Sequence, residues 1–519
     1  MEVIKNALTV GVFTLFSRLI GFLRECVMAF CLGANVYSDA LLVALRVANT
    51  FRRIFAEGAF NASFLPRFSK LLNQKGKNDV HVDLSNVFSA LLIFLIPFTI
   101  VVILFFPSFL KLLVSGFDVL SENFKLTVVL GRICFPYLIF ISLASFFCSV
   151  LNVINKFALP AAVYSLLSIF TMFGLLIGYS MNLSHYITVH IVAWFVLLSG
   201  IAQSYCLFVS VKSHGFDIMF RFHCWTDQVK DVMKNMIPGI IGAGVWHLNL
   251  LIDTTISSYL PTGTITCVNL ADRLNQFPLG TLGIALSTAL LPLLSRFIHS
   301  GDYAKAMIEI ERGLLFSFFL TFFATSVLMA LDEPSVSVAF QRGMFEAEQV
   351  RITASAVTGF AVGLPAYILT KVFSTLYFAA GDTKSPVIFG MFSVGLNVIF
   401  LFLLVPFLKY FGITVCTSLS ALSNAIILIY FSHRKMPLKF TKAFWYKILS
   451  QTTAALATYF SLLKLSDLYW SPSLGMKSIK WLVYFGFIGC AVLIFSITTA
   501  AGLYLMKQKQ WKLWKKESW

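Results

Sequence analysis

Apolar segments of about 20 residues recur along almost the whole chain, each long enough to cross a ~30 Å hydrocarbon core as a helix. The 519 residues are 58% hydrophobic and 12% charged, with a mean hydropathy of +0.84. Soluble domains usually contain about 25% charged residues. No segment shows the alternation of apolar and polar residues that is typical of a membrane barrel. The sequence therefore predicts an all-α, polytopic membrane protein without strands.

Hydropathy predicts about 14 transmembrane helices. The first contains Arg18 and Arg24 and is not followed by a small-residue cleavage site, so we expect it to be retained rather than removed as a signal peptide. The predicted spans are 6–32, 38–66, 85–107, 126–154, 158–181, 186–211, 230–260, 264–295, 312–331, 351–380, 386–408, 411–432, 443–464 and 479–505.

Lysine and arginine are concentrated in alternate loops, and this sets the expected orientation. With a cytoplasmic N-terminus, the cytoplasmic side carries about 24 basic residues and the opposite side about 8. We therefore expect both termini to be cytoplasmic. The net charge of +17 follows from this topology. Because the basic residues do not form a patch with interleaved aromatics, we expect no nucleic-acid partner.

An internal repeat predicts how the spans are arranged. The sequence around Pro66 matches that around Pro292, and the same offset of 226 residues pairs Pro160 with Pro386. An even number of spans separates the copies, so the two halves have the same orientation and are related by an axis along the membrane normal. The predicted domains are an N-terminal six-helix lobe (1–215), a C-terminal six-helix lobe (216–440), and two final transmembrane helices with a basic tail (441–519).

Charged residues inside the spans predict a functional site, because each charge at a helix centre costs ~2.5–3.5 kcal/mol. The cations outnumber the acids, so an anionic ligand is expected to neutralise some of them. The basic residues are Arg18, Arg24, Arg46, Arg52, Arg53, Arg132, Arg273 and Lys371, and the acids are Glu25, Asp39, Glu57, Asp253 and Asp272.

Four of the arginines are predicted to lie at or above the membrane midplane. A rise of ~1.5 Å per residue places Arg18 and Arg52 roughly 20 Å from the cytoplasmic face, with Arg24 and Arg273 somewhat higher. The planar guanidinium forms bidentate hydrogen bonds with phosphate oxygens and stays charged. We therefore predict that these four arginines line a cavity and bind an anionic substrate.

Other charged positions have alternatives that the sequence leaves open. Arg53 and Glu57 are four residues apart, which also suits a structural ion pair. Arg132 and Lys371 either line the cavity or extend to the membrane surface. Two adjacent pairs have the alternative of helix-terminal charges that reach lipid headgroups: Arg24 with Glu25, and Asp272 with Arg273.

Asp253 is predicted either to take part in ion coupling or to have a structural role. A carboxylate in a span, near Asp382 or Asn397, can coordinate Na⁺ or carry a proton, and it can equally cap a helix. His247 has no second ligand four residues on, and the nine cysteines are scattered without a C-x-x-C pair. We predict no metal site and treat the cysteines as packing residues.

Several residue strings resemble the MurJ (MviN) family of lipid II flippases, within the multidrug/oligosaccharidyl-lipid/polysaccharide exporter superfamily. The most specific is the string from Arg52 to Phe60, Arg-Arg-Ile-Phe-Ala-Glu-Gly-Ala-Phe. The resemblance extends over nearly the whole chain. The other strings are Ser17-Arg18-Leu-Ile-Gly21-Phe-Leu-Arg24-Glu25, Ser38-Asp39-Ala40, Phe135-Pro136-Tyr137, Ala271-Asp272-Arg273-Leu274 and Gly381-Asp382-Thr383-Lys384-Ser385-Pro386.

The resemblance implies two six-helix lobes that alternate in access around a cationic cavity, and a final helix pair that holds the polyprenyl tail. The family's cavity arginines fall on Arg18, Arg24, Arg52 and Arg273. Its gating or conformational acids fall on Asp39 and Glu57, with Glu25 at a position that is often Asp in the family. Ala48 stands where the family often has Pro. Asp253 matches one position of a Na⁺ site whose other ligands are not convincingly present, so it stays a candidate for ion coupling only.

The function implied is translocation of undecaprenyl-diphosphate-linked peptidoglycan precursor from the cytoplasmic to the outer leaflet of the bacterial inner membrane. Membrane lipids and cell-wall synthesis proteins are further expected partners. No cofactor is expected, and the membrane potential or a monovalent cation is the expected energy source. Export of another polyprenyl-linked glycan is the main alternative. An enzyme acting on polyprenyl phosphates is disfavoured because the sequence contains no D-x-D motif.

Overall fold

A computed structural model describes residues 2–53, 61–75, 80–434, 439–470 and 477–517. Helices account for nearly all of the secondary structure in these ranges, and no strand occurs in them. The predicted all-α, polytopic fold is thus confirmed. The chain divides into two compact units, Met1–Thr266 with Arg342–Phe345, and Cys267–Gln341 with Glu346–Trp519.

Eleven helices lie in the described residues of the first unit before the helix Thr264–His299 begins. They are α1 (Glu2–Leu32), α2 (Val36–Arg52), α3 (Asn61–Lys75), α4 (His81–Leu104), α5 (Phe106–Leu113), α6 (Glu122–Cys134), α7 (Tyr137–Val153), α8 (Ala158–Val163), α9 (Ser165–Ser180), α10 (His185–Ser213) and α11 (Asp227–Ser257).

The remaining helices belong to the second unit, apart from the first residues of α12. They are α12 (Thr264–His299), α13 (Tyr303–Ala330), α14 (Asp332–Phe340), α15 (Ala347–Val362), α16 (Leu364–Ala379), α17 (Lys384–Ser432), α18 (Lys442–Tyr469) and α19 (Lys477–Glu517).

The helices suit membrane crossing in length and composition. Among the described residues, seven stretches are long and apolar enough, or eight if α15 and α16, bent by 41°, form one broken span. Every predicted span overlaps one helix or two consecutive helices, and α17 covers two predicted spans with a turn at Lys409. The predicted total of 14 is compatible with this arrangement.

The first compact unit extends beyond the predicted lobe boundary at residue 215. Its limit at Thr266 reflects the packing of α11 against α3, α4 and α5. A boundary between sequence repeats is a different property from a boundary between packed units. The predicted domains 1–215, 216–440 and 441–519 therefore stay predictions.

Aromatic packing fixes the end of α2, which carries Arg52. The ring of Phe51 lies 5.6 Å from that of Phe98, 5.6 Å from that of Phe109 and 5.5 Å from that of Phe135. Tilted and edge-to-face ring pairs at these distances are favourable. The neighbouring Arg52 is consequently held at the end of a well-packed helix.

Candidate functional site

The first helix carries two of the predicted substrate-binding arginines. Arg18 is exposed on α1, in a segment of mainly apolar residues that is predicted to span the membrane. Arg24 donates to the Oε1 atom of Glu25 over 2.5 Å, and the two side chains are 14% and 1% exposed. Glu25, predicted to act in gating, is thus an ion partner of a predicted substrate-binding residue.

The C-terminal end of α2 carries two further arginines from the predicted set. Arg52 is half-buried and its Nε donates to the Oδ1 of Asn49 over 3.2 Å. Arg53 is exposed and follows the helix as its C-terminal cap. The predicted gating residue Glu57, and with it the alternative ion pair with Arg53, lies outside the described residues.

Asp39, predicted to act in gating, is the most completely coordinated of the candidate side chains. It is 1% exposed. Its Oδ2 accepts from the backbone N–H of Gly263 over 2.6 Å, and its Oδ1 accepts from the N–H (2.9 Å) and the hydroxyl (2.6 Å) of Thr266. These donors lie at the start of α12, where the first backbone N–H groups have no partner within the helix. The carboxylate of α2 therefore caps α12, with its oxygens at the partly positive end of that helix.

Local sequence explains why Asp39 lies in the first turn of α2. The Oδ1 of Asn35 accepts from the N–H groups of Tyr37 and Ser38, over 2.9 and 3.1 Å, and the hydroxyl of Ser38 accepts from the N–H of Asn35 over 2.8 Å. This capping box starts the helix at Val36. The Ser38 hydroxyl also accepts from that of Thr266 over 3.0 Å, so the cap and the contact with α12 share a residue.

Two glycines allow the backbones to approach around the turn between α1 and α2. Gly263 has φ +90°, and a Cβ there would lie 2.7 Å from the carbonyl oxygen of Ala34. Gly33 has φ +70°, and a Cβ there would lie 2.4 Å from the carbonyl oxygen of Met344. The N–H of Met344 donates to the carbonyl of Phe30 over 3.0 Å. The turn is therefore held at Gly263 and at Met344 by close backbone contact.

Arg46 provides a second link from α2. Its Nη1 donates to the hydroxyl of Thr254, on α11, over 2.5 Å. Asp253, the candidate for ion coupling, is buried beside Thr254, and its backbone carbonyl accepts the Ser257 hydroxyl over 2.6 Å. Its predicted role remains a prediction. Among the described residues, no group of three or more His, Cys, Asp or Glu side chains is placed to hold a metal ion.

The second unit contains the remaining predicted arginine. Arg273 is half-buried on α12, and the carboxylate of the preceding Asp272 accepts from the Gln276 side chain. Lys371 is exposed on α16. In the first unit, the Nε of Arg132 donates to the carbonyl of Ile103, near the end of α4, over 3.1 Å.

Sequence reasoning missed the partners of the charged residues. Gly263, Thr266 and Thr254 received no role, although Pro261-Thr262-Gly263 before an apolar run is a turn followed by a helix start. That signal locates the unpaired N–H groups of α12. It does not indicate that a carboxylate more than two hundred residues earlier binds them.

The chain is similar to known proteins both in sequence and in structure. The family described as "Lipid II flippase MurJ" matches residues 28–485. The "Probable lipid II flippase MurJ" of Rhizobium meliloti (strain 1021) is 35% identical over 82% of this chain and 80% of its own length. That of Rhizobium tropici is 33% identical over 95% and 92%. A solved structure described as "Lipid II flippase MurJ, inward closed conformation" is similar in fold, with a TM-score of 0.79 at 21% identity, covering 95% of this chain and 98% of that one.

Proposed function

Because this chain belongs to the lipid II flippase MurJ family, it is a membrane transporter of lipid II rather than an enzyme, and we propose that alternating access to a cationic cavity moves the substrate. It is a multi-pass protein of the bacterial inner membrane. The polar headgroup of a lipid-linked glycopeptide cannot cross ~30 Å of hydrocarbon unaided, so a hydrated path is needed while the tail stays in lipid.

The substrate diphosphate is held by Arg18, Arg24, Arg52 and Arg273 in this proposal. The exposure of Arg18 within an apolar span is the observation that carries it. A guanidinium exposed to lipid hydrocarbon would be costly, whereas one that faces a water-filled cavity and an anionic ligand is stabilised. Glu25 balances Arg24 until the diphosphate competes for the same guanidinium.

Asp39 acts as a releasable latch between α2 and the start of α12. Three hydrogen bonds to a buried carboxylate favour one arrangement, and their common dependence on a single side chain lets them break together. With both termini in the cytoplasm, the turn at 33–35 and the turn at 261–263 lie at the outer face. The latch then closes the outer exit, and its release accompanies delivery to the outer leaflet.

The membrane potential supplies the bias that returns the empty cationic cavity, and no cofactor is required. Moving one charge fully across the membrane is worth ~2.3 kcal/mol per 100 mV. Collapse of the potential in vesicles should slow repeated flipping and leave a single turnover intact. Unchanged repeated flipping after collapse would refute this energy source, and a monovalent-cation gradient would then be tested. Cell-wall synthesis proteins are the proposed partners that use the delivered substrate.

Complementation of a flippase-depleted bacterium tests the cavity assignment. The intact chain should restore lipid II at the outer leaflet, and Arg52→Ala or Arg273→Ala should not. Arg312→Ala is the matched control, because Arg312 is an exposed arginine paired with Glu309 over 2.7 Å. Rescue by both cavity variants at normal expression would overturn the assignment.

A reversible crosslink tests the latch. The hydroxyl oxygens of Ser38 and Thr266 are 3.0 Å apart, so cysteines at both positions are close enough to form a disulfide. Oxidation of the double variant Ser38→Cys/Thr266→Cys should stop flipping, and reduction should restore it. Neither single variant should respond to oxidant. Full activity of the oxidised, crosslinked protein would show that the latch need not open.

A further inference from the structure

The connector between α10 and α11 lies along α4 rather than forming a separate loop. Alternate backbone N–H groups of this connector donate to side chains of α4. Asp217 donates to the Nδ1 of His81 over 3.0 Å, Met219 to the hydroxyl of Ser85 over 3.1 Å, and Arg221 to that of Ser89 over 2.8 Å.

The spacing of the donors along the connector matches the spacing of the acceptors along α4. Two residues of extended chain advance ~6.6 Å, and four residues of an α-helix advance ~6 Å. Donors at 217, 219 and 221 therefore stay in register with acceptors at 81, 85 and 89. From the first contact to the third, the connector follows α4 for about 12 Å.

From residue 217 to residue 221 the connector runs toward the membrane interior. α4 is a candidate span that begins at His81, and α10 is a candidate span that ends at Ser213, so both helix ends mark one membrane face. The predicted apolar span of α4 begins at residue 85. Ser89 is four residues further, so it lies about 6 Å inside the hydrocarbon boundary, and Arg221 is bound at that level.

The serines of α4 satisfy the connector's backbone where water is absent. Ser85 and Ser89 are 2% and 0% exposed. The Ser89 hydroxyl donates to the carbonyl of Ser85 over 2.7 Å, so its lone pairs remain for the N–H of Arg221. Irregular backbone persists at membrane depth only where its polar groups are satisfied by protein or by a hydrated cavity. Ser85 and Ser89, four residues apart on one face of α4, supply acceptors for two of these groups, the N–H of Met219 and that of Arg221.

Most of the exposed side chains between residues 219 and 225 are apolar, and Arg221 and His223 are the exposed polar ones. Met219 is 69% exposed, Phe222 81% and Trp225 52%. The rings of Phe220 and Phe222 lie 5.0 Å apart, edge to face. Arg221 between them is exposed and long enough to extend to the headgroups. Aromatic residues with a basic neighbour are typical of a segment at the boundary between headgroups and acyl chains.

We propose that residues 219–225, the anchor segment, insert into the lipid leaflet at which α10 ends, with Phe222 among the acyl chains and Arg221 at the headgroups. The occupant of this apolar surface is lipid, because the segment follows a membrane-spanning helix inward and because both its backbone and its exposed side chains suit that depth. On the predicted orientation this is the cytoplasmic leaflet. The inference does not depend on the identity of the transported substrate.

Site-directed spin labelling of the full chain in lipid vesicles tests this position. The exposed Cys206 and Cys490 and the half-buried Cys26 are first replaced by serine. A label at Phe222→Cys should collide several-fold more with oxygen, relative to a water-soluble nickel complex, than a label at Asp217→Cys. It should resemble a label at Phe402→Cys, a position that is 70% exposed in the span α17.

Two outcomes would overturn the proposal. A label at position 222 as accessible to nickel as that at 217 would place the segment in water. A label shielded from both reagents would mean that protein, not lipid, covers it. Retained flipping by each labelled variant confirms that the chain is folded.

Removal of the Ser85 and Ser89 hydroxyls tests whether these acceptors hold the anchor segment in the leaflet. In Ser85→Ala/Ser89→Ala, two N–H groups lose their acceptors, so the label at 222 should become more mobile and several-fold more accessible to nickel. Ser145→Ala/Ser149→Ala is the matched control, since it also removes two buried hydroxyls, including one that donates within α7 over 2.9 Å. An unchanged accessibility profile in the Ser85/Ser89 variant would refute the role of these serines.

Discussion

Two carboxylates, one in each compact unit, each cap the start of a helix. Each accepts from the same kinds of donor, two backbone N–H groups and one hydroxyl. Asp39 accepts two backbone N–H groups and the Thr266 hydroxyl at the start of α12. Asp382 accepts the N–H groups of Lys384 and Ser385, over 3.1 and 3.0 Å, and the Ser385 hydroxyl over 2.6 Å, at the start of α17. The chemistry of the two caps is the same, and their settings differ.

The difference lies in sequence separation and burial. Asp382 is two or three residues from its donors and partly exposed, so water replaces it readily. Asp39 is 224 and 227 residues from its donors and almost fully buried. Its loss leaves the backbone N–H groups of Gly263 and Thr266 without an acceptor in a buried site, which costs much more than the loss of a partly exposed cap. A local cap stabilises one helix, whereas the distant cap also determines which parts of the chain meet.

Removal of the buried cap should have the largest effect. Asp39→Ala leaves the N–H groups of Gly263 and Thr266 without their acceptor, at roughly 1–3 kcal/mol for each buried group, and the Thr266 hydroxyl keeps only its contact with Ser38. We expect a total loss of about 3–5 kcal/mol in the free energy of unfolding. Thermal unfolding in detergent measures this. Asp39→Asn keeps one acceptor oxygen and should lie between the alanine variant and the native chain. A native-like melting temperature for Asp39→Ala would mean that the cap contributes no stability.

The hydroxyl alone should account for part of that loss. Thr266→Val keeps the shape and the N–H of residue 266 but removes the hydrogen bonds to Asp39 and Ser38. A hydrogen bond to a charged group contributes about 1.5–3 kcal/mol, so we expect a loss of about 2 kcal/mol. Thr266→Ser retains the hydroxyl and should lose less than half as much. If Thr266→Val unfolds at the same temperature as the native chain, the hydroxyl contributes no stability.

The same contrast explains what could be predicted from the sequence. The all-α fold and the positions of the spans follow from apolar segments that need only their own composition to be recognised. Asp382 lies two residues before the first residue of the helix it caps, so its structural role could be read from Asp382-Thr-Lys-Ser385. The residues of the capping box at Asn35 and Ser38 are readable for the same reason.

The partners of Asp39 could not be predicted, because nothing in the sequence near Asp39 refers to Gly263 or Thr266. The link of Arg46 to Thr254 and the contact of residues 217–221 with α4 have the same origin. In each case a short polar group meets backbone or side chain from a distant segment. The resemblance to a family supplied a role for Asp39, and the structure supplied the contact by which that role can be performed.

The partly exposed cap should have a smaller effect than the buried one. Asp382→Ala removes the N-terminal cap of α17, and such changes cost about 1 kcal/mol. The expected reduction in unfolding free energy is thus a fraction of that for Asp39→Ala, measured by thermal unfolding under the same conditions. Thr383→Ala is the control, because the exposed Thr383 side chain makes no capping hydrogen bond. A loss as large as that for Asp39→Ala would show that burial does not distinguish the two caps.

The smallest effect is expected at Asp302, a partly exposed cap whose contribution depends on pH. Its carboxylate accepts from the side chain of Lys305 over 2.8 Å and from the Lys305 N–H over 3.1 Å, and these hydrogen bonds hold the pKa of Asp302 below its ordinary value of 3.8. A lowered pKa in the folded state means that the stabilisation is fully present above pH 3.8 and is lost as the pH falls through the folded-state pKa. Asp302→Asn should therefore reduce the dependence of melting temperature on pH below pH 3.8, and Lys305→Gln, which keeps the backbone hydrogen bond, should reduce it by less. Because Asp302→Asn already removes the interaction that Lys305→Gln removes, the double variant should match Asp302→Asn, and additive effects would show that the two residues act separately.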